Sequence, residues 1–431
     1  MVTNIEHIIN YFKSGIRDTK DFKIGIEHEK FLFNQNENKR ADYKTILKMF
    51  DALSEFGWKP IMEKKNIIGL QKEGKNITLE PGNQIELSGD KLNNIHEACS
   101  ESHDYLFELE QVTKKIGLKI VSAGFDPIST LGEVPNNPKQ RYEVMTRDMP
   151  NGGSLSLDMM YRTCGTQLNL DYNSEEDFIK KFKIINSLVP ISIALFANSS
   201  IVEKKNSGYM SYRSKVWQET SRGGLPEVFF DNMNFEKYAD FAINFPLLFI
   251  QNDKEYLSGE NYTFSDFMSG KIKEINNKLP TEDDLASHLS TIFTENRLKK
   301  YIELRSMDTC GWDCLCAGPA FNTGILYGNL DETYELISKW DKNKIINAYL
   351  EAPKKGFNTE LMGKDLLYWS SLLLNLSKKG LEHRDILNRS NESEAKFLSH
   401  LEKLIDNKTT NADHMINKFS KNENLSELYD K

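Results

Sequence analysis

Glu27 and Glu29 stand two residues apart in the segment IGIEHEKF (Ile24–Phe31), alternating with apolar residues. Side chains at i and i+2 of a β-strand share a face, which sets these carboxylates side by side, roughly 7 Å apart. Three more segments follow the same plan. ITLEPGNQIELS (Ile77–Ser88) carries Glu80 and Glu86, TQLNLD (Thr166–Asp171) carries Gln167, Asn169 and Asp171, and YIELR (Tyr301–Arg305) carries Glu303 and Arg305. Ile24, Ile26, Leu168, Leu170, Ile302 and Leu304 fall on the opposite face. Pro81-Gly82 is a turn signal that brings Glu80 and Glu86 to one end of the sheet. An isolated ExE pair is ordinarily plain solvent-facing surface. Five carboxylates gathered on one face repel each other unless cations neutralise them. Their oxygen-only donor set suits Mg²⁺ or Mn²⁺ rather than zinc, so the joint pattern reads as a divalent-cation site.

Neighbouring residues divide between chemistry and structure. His28 points away from the glutamates, beside Ile26, and reads as a satisfied structural histidine. Arg305 shares a face with Glu303; it can contact phosphate oxygens beside the metal or simply pair with that glutamate. Arg213 in SYRSKVW and Arg141 in PKQRYEVM occupy loop-like, aromatic-flanked segments. Each is read as a clamp for a substrate carboxylate or as an ordinary surface arginine. Cys310, Cys314 and Cys316 in CGWDCLC lack a second pair at zinc-ligand spacing and read as buried free thiols. GxxxxGK[ST], GxGxxG after a strand, HExxH and GxSxG are all absent from the sequence. Any nucleotide must therefore be held by metals and side chains rather than by a P-loop.

The elements that must position these groups alternate without repeat or long linker. Leu92–Ile116 has helical periodicity and ends at Gly117, a natural C-cap. Ser174–Asp177 and Thr281–Asp284 read as capping boxes that open helices. Gly124–Arg141, with Pro127, Pro135 and Pro138, reads as a loop, and Gly152-Gly153 as a turn. From about Asp341 the sequence becomes helical and rich in Lys, Asn and Glu, and its last part, Asn407–Lys431, reads as partly mobile. The fold class is α+β, with antiparallel strands and helices on one face.

The 431 residues are 39% hydrophobic and 27% charged, ordinary for a globular chain that buries a core. A net charge of −8 argues against a nucleic-acid partner. The longest greasy run, Leu188–Ala197, falls short of the roughly 20 residues that span a bilayer and contains Pro190. The N-terminus lacks the plan of a secretion signal or transit peptide, and five cysteines fit a reducing compartment. A cytoplasmic protein with small-molecule partners and no membrane partner, as a monomer or homodimer, is the expectation.

Taken in order, GIEHEKF, ITLEPGNQIELSG, IHEACSE, PKQRYEVM, GSLSLDMMYRTC into QLNLD, IALFANSS, YMSYRSKVW, STIF with ENRLKKYIELR, and LCAGPAF resemble the plant-type glutamate–cysteine ligase family, also found in bacteria. The resemblance spans about residues 24 to 325, with a weaker helical match beyond. It implies a glutamine-synthetase-like catalytic fold, a curved antiparallel sheet forming a funnel with helices on its outer face, as one catalytic domain over 1–431 with a helical part from about 341. It also implies ATP-dependent ligation of L-cysteine to the γ-carboxylate of L-glutamate through an acyl phosphate, the first step of glutathione synthesis.

By the same resemblance Glu27, Glu29, Glu80, Glu86 and Glu303 match metal-binding carboxylates. Gln167 falls where some relatives place a histidine ligand. Arg305 and Glu303 are the expected catalytic pair, with Arg305 near the transferred phosphate. Arg213 would hold the glutamate α-carboxylate, and Met160, Thr163, Asn169 and Trp217, with Arg141, would line the substrate pocket. Plant members carry two redox-active disulfides. Cys99 and Cys316 align with one pair, the other has no counterpart around Ser258–Lys273, and Cys310 and Cys314 match no family cysteine. Two rival readings share these residues: a carboxylate–amine ligase with another amine acceptor, and a two-metal phosphohydrolase.

Overall fold

A computed structural model describes residues 1–252 and 255–422; of the C-terminal stretch expected to be mobile, positions 423–431 lie outside the described residues. The frame is one nine-stranded sheet. Its strands are β1 (Ile24–Asn34), β2 (Lys59–Glu63), β3 (Asn66–Lys72), β4 (Lys75–Leu79), β5 (Ile85–Ser88), β6 (Leu118–Val121) and β7 (Gly165–Leu170). A separate hairpin, β8 (Phe249–Asn252) and β9 (Glu255–Ser258), precedes the last two sheet strands, β10 (Asn296–Leu298) and β11 (Ile302–Asp308). The order is β10-β11-β7-β1-β5-β4-β3-β2, with β6 on the far half of β1, and every pairing is antiparallel.

Four of these strands are the alternating segments, brought together from distant parts of the chain. Pairing keeps like faces opposite each other: Glu27 faces Gln167, Glu29 faces Glu86, and Glu303 faces Asn169. A one-residue slip would turn every carboxylate into the core, so the apolar set specifies the register. Ile24, Ile26, Leu168, Leu170, Ile302 and Leu304 are all at most 4% exposed. Each contributes about 1.5–3 kcal/mol on burial. They share one apolar cluster with Leu373, Leu381 and Leu401 of the C-terminal helices, so sheet and helical part are built on common packing.

Local signals explain the helices around the site. Helix α1 (Ile95–Ile116) starts three residues later than its apolar pattern because the Asn94 side chain accepts from Glu97 N, and it ends at Gly117 with φ 72°. Helix α2 (Gln140–Asp148) follows the proline-rich loop, and α3 (Ser156–Arg162) follows Gly152-Gly153. Helix α4 (Glu175–Ser187) is capped by Ser174, but Asp177 accepts from Asn173 N rather than completing a reciprocal box. Helix α5 (Tyr212–Gln218) is capped by Ser211, and α6 (Glu282–Ser290) has the full Thr281/Asp284 box. Among the described residues no helix is long and apolar enough to cross a membrane.

Three expectations need correcting. Arg141 and Arg213 are helical, not in loops, because Pro138 and the Ser211 cap mark starts rather than continuing loops. The C-terminal part is not purely helical: Met362 and Gly363, both at positive φ, close a small hairpin of Glu360–Leu361 and Lys364–Asp365. Cys310, Cys314 and Cys316 are buried but not free. Cys310 pairs with Cys314 across the short turn Trp312–Leu315 at a Cα–Cα distance of 5.7 Å, and Cys316 pairs with Cys99 of α1 at 5.8 Å. Both separations suit a disulfide. Cys164 is the free thiol.

Candidate active site

Glu27 and Glu29 on β1, Glu86 on β5, Glu80 just beyond β4, Gln167 on β7 and Arg305 on β11 line one cavity of about 250 Å³. Arg141 and Tyr142 of α2, Thr78, Phe249, Phe293 and Arg297 complete its wall. Asp171, which shares the alternation, is turned elsewhere: it accepts from Lys23 N and lies 3.4 Å from Arg17.

Each carboxylate has a different setting. Glu29 accepts from Gly165 N at 2.6 Å, yet burial and then Glu80 push its pKa up to about 7. Burial, then Glu80, Glu27 and Glu29, push Glu86 well above the carboxylate range despite its bond from Ser88 Oγ. Glu27 accepts from Asn169 Nδ2 at 2.8 Å, and Glu80 lies 3.3 Å from the Tyr142 hydroxyl. The raised Glu29 and Glu86 show that carboxylate charge is concentrated here beyond what the protein itself compensates. Among the described residues, however, no three His, Cys, Asp or Glu side chains form a group that could hold a metal ion by themselves. The oxygen donors of these side chains would suit a hard divalent cation such as Mg²⁺ that takes only part of its ligands from the protein.

Glu303 does not fit that role. It is fully buried and bonded to Arg297 at 2.7 Å, Lys299 at 3.0 Å and Arg305 at 2.7 Å. Against the effect of burial, those three cations hold its pKa well below the usual range. Its lone pairs are engaged by cations, so its surroundings support an anchor for Arg305 instead of a metal ligand. Arg297 and Lys299 were missed in the sequence, although Arg297, Lys299 and Tyr301 alternate as clearly as the glutamates; Arg297 sits opposite Glu303 in the β10–β11 register. Gln167 accepts from Arg305 Nη1.

Arg213 and Arg305 share an aromatic support. Each guanidinium carbon lies 5.5 Å from the Trp217 ring centroid. Arg213 is 3% exposed, donates from Nη2 to Arg305 O and pairs through Nη1 with the buried Asp308 at 4.0 Å, while its Nε has no hydrogen-bond partner. A buried guanidinium that keeps a free Nε–H retains donor capacity for a carboxylate. Gly165 makes room for it, since a Cβ there would stand 2.6 Å from Arg213 Nη2.

The other pocket expectations vary. Asn169 reaches the site through Glu27, and Met160 packs in the cluster around Trp217. Thr163 donates its hydroxyl to Met159 O at 2.6 Å and does not line the carboxylate cavity. Gln84, which nothing in its spacing singled out, ties the carbonyls of Met160 and Thr163 at 3.2 and 3.1 Å. Arg141 is half-buried with its Nη2 on the Tyr142 hydroxyl at 3.0 Å. His28 packs 5.5 Å from the Tyr105 ring, but neither ring nitrogen has a partner, so it is structural without being satisfied. Burial, then Lys30, keeps it neutral.

An antiparallel sheet with a carboxylate-lined cavity and two arginines against one tryptophan is the arrangement of an enzyme site, and comparison with known proteins narrows its class. Residues 23–431 match the glutamate-cysteine ligase family 2 (GCS2). The chain is 38% identical over 418 residues to glutamate–cysteine ligase B, chloroplastic, of Oryza sativa subsp. japonica, covering 96% of this chain and 83% of the relative. It is 40% identical over 385 residues to the chloroplastic glutamate–cysteine ligase of Nicotiana tabacum, covering 88% and 74%. The crystal structure of glutamate–cysteine ligase from Francisella tularensis in complex with AMP matches at a TM-score of 0.52 and 13% identity, over 94% of this chain and 86% of that one. At that identity the likeness concerns the fold. The chain belongs to the glutamate–cysteine ligase family.

Proposed function

We propose that the protein joins L-cysteine to the γ-carboxylate of L-glutamate at the expense of ATP, giving γ-glutamylcysteine, ADP and phosphate. The observation that carries this reading is the buried Arg213 guanidinium bonded to the backbone of Arg305, which itself lines a cavity with four carboxylates.

A γ-carboxylate is a poor electrophile because its leaving group would be oxide. One γ-oxygen attacks the terminal phosphorus of ATP, the bond to ADP breaks, and the acyl phosphate so formed has phosphate as its leaving group. The cysteine amine then forms the amide bond, phosphate departs, and the nitrogen loses a proton. Arg213 takes the α-carboxylate of glutamate and so fixes where the γ-carboxylate lies. Arg305, held by Glu303 and Gln167, presents its guanidinium to the phosphoryl group. Mg²⁺ held by Glu27, Glu29, Glu80 and Glu86 would supply neutralisation of the phosphate charge that otherwise repels the incoming carboxylate.

A coupled assay of ADP release tests the reading: turnover is expected only when glutamate and cysteine are both present. ADP release without either amino acid would point to a phosphohydrolase instead. Equal turnover when cysteine is replaced by another amino acid would point to a different acceptor. The location is read as cytoplasmic and the assembly as monomer or homodimer, which fractionation and sedimentation measure directly.

A further inference from the structure

Beside the carboxylate cavity, across Thr291, lies a second cavity of about 230 Å³. Arg222 lines it and is only 7% exposed. Its Nε donates to Thr291 O at 3.0 Å and its Nη2 to Thr291 Oγ1 at 3.1 Å, and the Phe245 ring centroid lies 4.8 Å from its guanidinium carbon. The buried Arg40, Arg162 and Arg297 each touch a carboxylate. Arg222 touches none among the described residues, and burial alone lowers its pKa to about 9. A buried guanidinium bonded only to neutral oxygens is short of an anion.

The rest of the lining narrows what that anion belongs to. Asp148 is already held by Arg147 at 2.6 Å. Glu260 is exposed, accepts from the neutral Asn151 side chain at 2.7 Å and has no ion pair among the described residues. A phosphate dianion would meet two carboxylates here. A zwitterion meets one positive and one negative group, with Leu247 and Leu248 beside them as an apolar wall.

We infer that this cavity is a second site, for the α-ammonium and α-carboxylate of a small amino acid: the carboxylate on Arg222, the ammonium toward Glu260, and a short apolar or thiol side chain against Leu247 and Leu248. The same chemistry is offered by a free amino acid and by the glutamyl end of a γ-linked dipeptide. Thr291 lines the carboxylate cavity and accepts from Arg222 of this one, which links the two walls.

Calorimetric titration without ATP separates this site from the ligase reaction, because no turnover is involved. The probes are L-2-aminobutyrate and γ-glutamylglycine, each titrated into wild type, Arg222→Lys, Ser221→Trp and Arg213→Lys. Ser221 lies at the exposed rim, so the tryptophan covers the mouth without disturbing the core. The expected result is saturable binding of at least one probe, weakened about tenfold or more by Arg222→Lys through loss of the planar fork, weakened likewise by Ser221→Trp, and kept within about twofold in Arg213→Lys. Binding of aminobutyrate identifies a free amino acid as the occupant, and binding of the dipeptide alone identifies a peptide. Absence of saturable binding to wild type, or binding that both cavity variants leave unchanged, overturns the inference.

Discussion

Arg213 Nη2 donates to the main-chain carbonyl of Arg305 at 2.9 Å, so the arm proposed for the substrate carboxylate is bonded to the strand that carries the arm proposed for phosphate. Replacing Arg213 by lysine keeps the charge but loses the planar fork of the guanidinium. A charge-assisted hydrogen bond contributes about 1.5–3 kcal/mol, so the KM for glutamate is expected to rise about 10- to 100-fold. The KM for ATP should change little. Steady-state kinetics with each substrate varied in turn decide it, and an equal rise in both KM values would place Arg213 elsewhere in the mechanism.

Gly165 gives an independent handle on the same fork. An added Cβ would stand 2.6 Å from Arg213 Nη2 and 3.1 Å from its Cζ. Gly165→Ala should therefore reproduce the glutamate KM defect with little change in far-UV circular dichroism. Unaltered kinetics in this variant would show that Arg213 moves freely.

Glu27 and Glu303 should behave in opposite ways. Glu27→Gln leaves a neutral group of the same shape beside Asn169 and is expected to remove most activity while the melting temperature holds. Glu303→Gln leaves Arg297, Lys299 and Arg305 without their buried anion, and breaking such a pair costs about 3–5 kcal/mol. Denaturant titration of both variants is the check. A Glu303→Gln protein as stable as wild type would contradict the anchor role.

His288 supplies a pH dependence away from the site. It is buried, stacks on Phe264 at 4.9 Å and contacts Ala242 O through Nε2, and burial lowers its pKa to about 4. The unfolded chain binds this proton more readily, so stability rises with pH between the two values. The contribution is complete above about pH 6.5, the usual histidine value, and is lost as pH falls toward 4. Urea midpoints measured across that window should drop less steeply in His288→Gln than in wild type, and parallel slopes would refute the assignment.

The cysteines can be counted chemically. Alkylation of the denatured oxidised chain without reductant should label Cys164 alone, and reduction should expose all five cysteines. Cys99→Ser should abolish an oxidation-dependent gel shift that depends on Cys316. Labelling of Cys310 or Cys314 before reduction would remove the second bond.

Much of the site was legible because a strand has period two. Glu27, Glu29, Glu86, Gln167 and Arg305 share a face by parity alone, and the apolar residues between them say which face is buried. Caps with local hydrogen bonds, such as Asn94, Ser174 and Thr281, are equally local and equally readable. The resemblance to a known family extended this to Arg213 and Trp217, and the sequence comparisons place the whole chain in that family.

Partner choice was decided only in three dimensions. Alternation sets Glu303 beside Arg305 but cannot show that Arg297 and Lys299 also converge on it and change an expected ligand into an anchor. Spacing cannot say that Cys310 reaches Cys314, that Gln84 spans Met160 and Thr163, or that Arg222 is buried without an anion. Periodicity follows from the geometry of one backbone segment, whereas charge compensation and burial are sums over segments hundreds of residues apart. Those sums exist only once the chain is packed.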